Sequence, residues 1–359
     1  MRIVFRFIMV IICTILIACS DERDTTSKEE TVEYELEKKG NIKLEGAQPM
    51  FGKFKEHFEI SKDESYLFFA DRMLDQLFVF DSVGRHVSVI GERNKGPKGL
   101  VELSDFTVKD NNEVVIYDAA QRFLKTFDLS GKIINSVNFL QTSPISAFEL
   151  AWYNDKIITS VVENKFVENP QNSKLVGLFN TDGKLDSLFG KHDPFTTDNN
   201  NFSIKSVISI DKERGVLYTN LKKSPFVQIY DMQTFERISY LGIETNNFRI
   251  PEKEIYMGLS IPEINKRSEN VSSIVGIFTT ECCVIQHMQV LTKEWFETVD
   301  FSKKENILIL YNKETLEFIK EMPVDYILGT VSNNKLYFIE DLDPDNYTVG
   351  VYELVKSKK

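Results

Sequence analysis

The chain has 359 residues and a formal net charge of −11, and 42% of its residues are hydrophobic. That proportion is enough to build a sizeable core, which argues against a disordered chain. The acidic balance opposes contact with phosphate backbones, so we expect no nucleic-acid partner.

The N-terminus is typical of an export signal. Arg2 and Arg6 precede an apolar stretch at 7–17, which is short for a bilayer-spanning helix of about 20 residues. Ala18-Cys19 and an abruptly polar segment follow, which resembles the lipobox of bacterial lipoproteins. The resemblance implies a signal peptide at 1–18 and a lipidated Cys19, with palmitate-type acyl chains anchoring the chain to a membrane. The alternative is an ordinary secretory signal with a chance Cys.

Residues 19–39 are charged, rich in Thr and poor in apolar side chains. Such a composition cannot bury enough surface to fold, so we predict a flexible tether between the lipid and the body at 40–359.

Two sequence patterns alternate along the body, and each predicts two short strands joined by a tight turn. In one pattern, the first strand ends at an aromatic residue followed by an acid or Asn. The six pairs are Phe80-Asp81, Phe127-Asp128, Phe179-Asn180, Tyr230-Asp231, Tyr311-Asn312 and Tyr352-Glu353. Six copies of both patterns predict an all-β, six-bladed β-propeller with four antiparallel strands per blade. A β-sandwich or two smaller β domains would leave the repetition unexplained.

The sixth unit ends after its third strand, near Leu354. We expect an N-terminal strand, around 31–36 or 41–44, to close the last blade and cover its exposed edge.

The repeated patterns, together with a Gly-rich element at Gly91, Gly96 and Pro97, resemble the TolB-like and NHL-like six-bladed propeller lipoproteins of Bacteroidetes. The resemblance implies the fold and the lipoprotein status, but it supplies no active-site residue. The element lacks the Gly-Glu that commonly follows the Pro. Asp21-Glu22 after the lipid Cys resembles export signals of that phylum, which implies the outer membrane, on its periplasmic side or at the cell surface. A solvated spacer is the alternative.

Motifs for chemistry are sparse. Gly91 and Gly96 have phosphate-loop spacing, but Pro97 stands where the Lys is needed. The acids at 341–345 resemble the start of a calcium loop without its Gly and final Glu, so a turn is favoured. No His lies in a metal-binding or catalytic motif, and we therefore assign no catalytic, metal or cofactor site.

Cys282 and Cys283 are adjacent. Successive strand residues point to opposite faces, so we expect two small buried apolar side chains, with a vicinal disulfide or reactive thiol as the alternative.

Long connections at 163–174, 190–202, 243–271 and 290–306 should share one face of the propeller. Because long irregular connections are uncommon unless they bind something, we predict a docking surface for an envelope protein, peptide or glycan. Its candidate residues are Phe195, Arg249, Tyr256, Lys293, Trp295 and Phe296. The alternatives are surface loops that merely tolerate sequence drift, a hydrolase or lyase at the propeller axis using acids with His192 or His287, and a purely structural scaffold.

Overall fold

The computed structural model describes residues 33–46, 57–71, 73–93, 99–110, 112–139, 145–163, 169–198, 205–242, 248–250, 260–298, 300–343 and 346–357. Six four-stranded antiparallel sheets form the blades of a ring. The predicted six-bladed propeller is confirmed.

Blades 1 to 3 take their strands in chain order, from the axis outwards. Blade 1 contains β2 (Glu59–Ile60), β3 (Tyr66–Asp71), β4 (Gln76–Asp81) and β5 (His86–Ile90). A parallel pair, β6 (Glu92–Arg93) and β7 (Gly99–Leu100), lies in the Gly-rich element. Blade 2 contains β8 (Leu103–Val108), β9 (Val114–Asp118), β10 (Phe123–Phe127) and β11 (Ile133–Asn138). Blade 3 contains β12 (Ile145–Tyr153), β13 (Lys156–Glu163), β14 (Val176–Asn180) and β15 (Leu185–Phe189).

Blades 4 and 5 repeat this order, and blade 6 joins the two ends of the chain. Blade 4 contains β16 (Ser206–Asp211), β17 (Val216–Leu221), β18 (Val227–Asp231) and β19 (Arg237–Leu241). Blade 5 contains β20 (Ser272–Thr279), β21 (Cys283–Val290), β22 (Glu305–Asn312) and β23 (Phe318–Val324). Blade 6 contains β24 (Ile327–Ser332), β25 (Lys335–Asp341), β26 (Thr348–Lys356) and, outermost, β1 (Tyr34–Lys43).

The core is divided among the spaces between neighbouring blades. In β3, Leu67 and Phe69 pack towards blade 6, whereas Phe68 and Ala70 pack towards blade 2. Successive strand residues face opposite sides of a sheet. A blade with a neighbour on each side therefore needs apolar residues at both the odd and the even positions of its strands. This explains why the inner strands read as nearly continuous apolar runs.

The predicted closure by an N-terminal strand is confirmed. Strand β1 pairs antiparallel with β26, from Tyr34 opposite Lys356 to Lys43 opposite Thr348. The pairing covers the edge that β26 would otherwise expose. Because β1 begins at Tyr34, residues 34–39, which the sequence assigned to the tether, form part of the last blade.

Short helices occupy the long connections. They are α1 (Pro194–Asp198), α2 (Ile261–Ser268) and α3 (Lys293–Thr298), with 3-10 turns at Pro170–Asn172 and Phe301–Lys303. Among the described residues, no helix has the length and apolar character needed to cross a bilayer.

A buried ion pair holds the Gly-rich element against blade 2. Lys125 donates hydrogen bonds to the Gly99 carbonyl and, over 3.1 Å, to Asp118 Oδ2. The same carboxylate oxygen accepts the Val101 N–H at 3.1 Å. Gly91 has a φ of +88°, and a Cβ there would lie 2.4 Å from Leu100, so only glycine fits this turn.

Candidate functional site

The innermost strands and their first turns enclose a cavity of about 480 Å³ on the propeller axis, and all six blades contribute residues to it. The volume lies in the range of small-molecule sites. The cavity is therefore the best-formed candidate site among the described residues.

The lining has two tiers. The inner tier is one residue from each inner strand: Glu59, Thr107, Ala151, Ser209, Phe278 and Thr330. The rim comes from the turns that follow, three residues later along the chain: Lys62, Asp110, Lys212, Glu281 and Asn333. At about 3.3 Å per strand residue, the backbones of the two tiers are roughly 10 Å apart. Exposure agrees, since Thr107 is 3% exposed whereas the side chain of Lys62 is 72% exposed.

Glu59 is the single ionisable member of the inner tier. Its Oε2 accepts a hydrogen bond from the Val108 N–H at 2.7 Å and a longer one from Thr107 Oγ1 at 3.5 Å. Burial, assisted by the negative charge of Asp105, raises the pKa of Glu59 to about 8. Glu59 is thus mainly protonated at neutral pH, and Oε1, which has no hydrogen-bond partner among the described residues, can carry the proton.

Two further acids bridge neighbouring blades in the same way. Asp105 Oδ2 accepts the Leu150 N–H at 2.7 Å, and Glu149 Oε2 accepts the Ile208 N–H at 3.4 Å. The inner strands present an unpaired edge towards the axis, so these carboxylates satisfy N–H groups that have no strand partner. As a result, acidic side chains lie beside the cavity on blades 1 to 3, and Glu149 also pairs with Lys222 at 3.6 Å.

The rim carries charges of both signs. Asp110 lies between Lys212, at 3.0 Å, and Lys62, at 3.5 Å. The hydrogen bond from Lys212 lowers the pKa of Asp110. Deeper on the same side, Lys313 pairs with Asp211 at 2.7 Å, and both are nearly buried.

The histidines proposed for an axial enzyme lie elsewhere. His192 follows β15 and does not line the cavity, and burial lowers its pKa to about 4. His287 is buried in β21 with Nε2 3.1 Å from Asn306 Oδ1. His57 does line the cavity, and its Nδ1 donates to the Gly329 carbonyl at 2.8 Å.

The expectation of two separate cysteine side chains is wrong, since Cys282 and Cys283 are joined as a vicinal disulfide. The strand argument fails because Cys282 lies in a bend and β21 begins only at Cys283. Thr280 supports the bend, accepting the Cys283 N–H on Oγ1 at 3.1 Å. The disulfide therefore follows directly after rim residue Glu281.

The candidate docking residues fall into two local groups. Phe195 packs between Phe226 and Phe248, with ring centroids 5.9 Å from each, and Arg249 is exposed next to Phe248. Trp295 and Phe296 pack edge to face at 4.7 Å on α3.

The two remaining candidate docking residues are Lys293 and Tyr256. Lys293 is exposed at the start of α3, and Tyr256 lies outside the described residues. The described candidate residues therefore form two separate groups. Phe195 lies beside the segment that carries Arg249, and Lys293 lies on the same short helix as Trp295 and Phe296.

At the start of the acidic segment, Asp341 Oδ1 accepts the Asp343 N–H at 2.8 Å, and Pro344 and Asp345 lie outside the described residues. Across the part of the chain that the structure describes, no three His, Cys, Asp or Glu side chains converge as a metal site requires.

A family profile described as a six-bladed β-propeller, DUF5128, matches residues 53–256. This covers more than half of the chain. The chain belongs to this family. The DUF5128 assignment agrees with the expected six-bladed propeller family, while the TolB-like or NHL-like label and the lipoprotein status stay predictions. No curated protein matches the chain.

Solved structures show the same fold. A DUF4221 family member from Bacteroides vulgatus matches with a TM-score of 0.70 and 14% identity, over 91% of this chain and 100% of its own. An exported-protein candidate from Bacteroides fragilis matches with a TM-score of 0.59 and 14% identity, over 90% and 96%. At such identities the comparison carries the fold alone.

Sequence reasoning missed the axial residues. Glu59, Thr107 and Ser209 lie about 50 residues or more apart and form no motif. A usable signal was available: an acid within an apolar inner strand, as at Glu59, Asp105 and Glu149, breaks the apolar pattern where burial makes a carboxylate costly.

Proposed function

We propose that this DUF5128 propeller is a lipid-anchored binding protein of the cell envelope, and that its axial cavity holds a small polar ligand. The observation that supports this most strongly is the cavity itself, to which all six blades contribute residues. A concave site whose wall combines polar and apolar groups is typical of ligand binding.

Membrane attachment is the second part of the proposal. It is supported by the lipobox-like sequence ending at Cys19 and by the likeness to an exported-protein candidate. Two or more acyl chains on one residue provide stable anchoring, to the outer membrane in this proposal. Replacing Cys19 by Ala should move the protein from the detergent phase to the aqueous phase in a detergent phase-separation assay. Retention in the detergent phase of a variant whose mass shows that residues 1–18 are absent would contradict lipid anchoring through this residue.

Ligand binding can be tested by blocking the cavity. In a soluble Cys19→Ala chain, Ser209→Trp places an indole in the inner tier, whereas Ile238→Trp adds one on the outer strand β19, where Ile238 is 58% exposed. After incubation with the small-molecule fraction of an envelope extract, native mass spectrometry should find a ligand on the Cys19→Ala chain and on the Ile238→Trp control, but not on Ser209→Trp. Equal occupancy of all three would refute an axial site. Chemical conversion of the ligand would instead favour the hydrolase or lyase alternative.

A docking surface on the long connections is the second candidate function. It is supported by the Phe195, Phe226 and Phe248 cluster, which brings two different inter-blade connections together beside exposed Arg249. Aromatic and Arg side chains are enriched at protein interfaces. Combined Arg249→Ala and Lys293→Ala substitutions should weaken capture of an envelope partner in pull-downs, compared with Lys184→Ala at an exposed turn. Unchanged capture would refute this surface.

A further inference from the structure

The charge distribution around the inner tier indicates which chemical group the cavity would hold. Glu59 faces Asp105 from the neighbouring blade, and the charged group of opposite sign facing it is Lys212 on the rim of blade 4. Asp105 is 4% exposed and its carboxylate accepts a backbone N–H. The acidic groups therefore lie at the depth of the inner tier, where a ligand cation can pair with the ionised form of Glu59.

We propose that the inner tier binds the ammonium group of an amine-bearing small molecule, with Glu59 as its counter-ion. This inference rests on the proposed axial binding function and names the ligand class of that site. Glu59 Oε1 makes no hydrogen bond among the described residues, while Oε2 is held by the Val108 N–H, so one oxygen is fixed and the other is available to the ligand. Phe278, which packs in the core between blades 5 and 6, also lines the cavity and adds apolar surface for the carbon skeleton of the ligand.

Other ligand classes fit less well. A metal ion would need several protein donors, and the described residues bring no three His, Cys, Asp or Glu side chains together. An anion would meet Lys62 and Lys212, but both already share Asp110. The Asp105 carboxylate behind the rim would repel it.

Proton release provides the signature of this binding mode. Glu59 has a pKa of about 8 in the empty cavity, so about a tenth of the molecules carry its carboxylate at pH 7. An ammonium selects the ionised form, and binding therefore releases the Glu59 proton to solvent. Because the apparent affinity scales with the competent fraction, it should rise about eightfold from pH 7 to pH 8.5. The charged groups that face Glu59 from other blades are Asp105 and Lys212, and the Glu59→Gln variant separates their contribution to the pH dependence from that of Glu59.

The experiment compares isosteric probes in the Cys19→Ala chain. Saturation-transfer NMR and calorimetry would use cyclohexylmethylamine, 1,4-diaminobutane and the neutral control cyclohexylmethanol. The amines should bind with affinity that rises with pH, and Glu59→Gln should weaken them at least tenfold at pH 8.5. The Gln amide oxygen can still accept the Val108 N–H, so the variant should fold. Ser209→Trp should abolish binding of every probe.

The outcomes separate the two proposals. If the alcohol binds as tightly as the amine, or Glu59→Gln retains amine binding, the ammonium site is refuted while axial binding stands. If neither amine binds at any pH, the ammonium site is also refuted. If the Ser209→Trp variant binds the probes as the parent chain does, the axial site itself is refuted.

Discussion

The buried pair of Lys125 and Asp118 allows a quantitative test of how the first two blades are held together. Their side chains are 2% and 0% exposed. Besides Asp118, the Lys125 ammonium donates to the Gly99 carbonyl and to Gln121 Oε1 at 2.9 Å. Replacing Lys125 by Met keeps the length of the side chain but leaves the Asp118 carboxylate buried beside an apolar group.

The expected cost of Lys125→Met is about 3–5 kcal/mol in the free energy of unfolding, the range for removing one partner of a buried ion pair. The lower end is favoured because Asp118 keeps two backbone donors, Val101 at 3.1 Å and Gln121 at 3.2 Å. The double variant Lys125→Met, Asp118→Asn removes the stranded charge and should recover at least about half of the loss.

Urea unfolding followed by circular dichroism measures these differences through the midpoint, with the slope as a check on the unfolded state. The matched control is Lys184→Met, because Lys184 pairs with Asp182 at 3.1 Å with side chains 79% and 53% exposed. That change should stay within about 0.5 kcal/mol. A loss below about 1 kcal/mol for Lys125→Met, or no recovery in the double variant, would refute the reasoning.

Three further predictions concern Glu59, the cysteines and the closing strand. The pKa of Glu59 rises from 4.5 to about 8 on folding, so the folded protein loses stability as the pH rises through this window. In thermal melts, the Glu59→Gln variant should therefore gain stability relative to the parent chain between pH 4.5 and pH 8. A difference in melting temperature that stays constant over this range would contradict the pKa shift. In the Cys19→Ala mature chain, iodoacetamide should label Cys282 and Cys283 only after reduction, as measured by intact mass; labelling before reduction would show free thiols. Deleting residues 34–43 should expose the edge of β26 and cause association, detectable by light scattering; a monomer of unchanged melting temperature would show that the closing strand is dispensable.

Local sequence was sufficient for the repeated elements. Pairs such as Phe80-Asp81 and Tyr230-Asp231 mark where a strand ends, and the Asp side chains then bond the turn that follows: Asp81 Oδ1 accepts the Arg85 N–H at 2.8 Å. Such turns need only residues close in sequence. The closing strand was also predictable, because a blade of three strands needs a fourth from elsewhere in the chain.

The cysteine pair shows where local reasoning failed. Assigning both residues to one strand predicted diverging side chains, but the strand begins one residue later, and the bend at Cys282 allows the bond. Strand boundaries are less certain from sequence than strand existence, and here one residue changed the chemistry.

By itself, the sequence determined the number of blades, their strands, the closure and the apolar faces between them, since period-two patterns and turn residues act over a few positions. Only the tertiary structure decided the site. Ring closure brings Asp110 between Lys62 and Lys212 from two other blades, and burial in the ring gives Glu59 a pKa of about 8. Both effects depend on distances and desolvation between residues far apart in the chain, for which spacing along the sequence gives no measure.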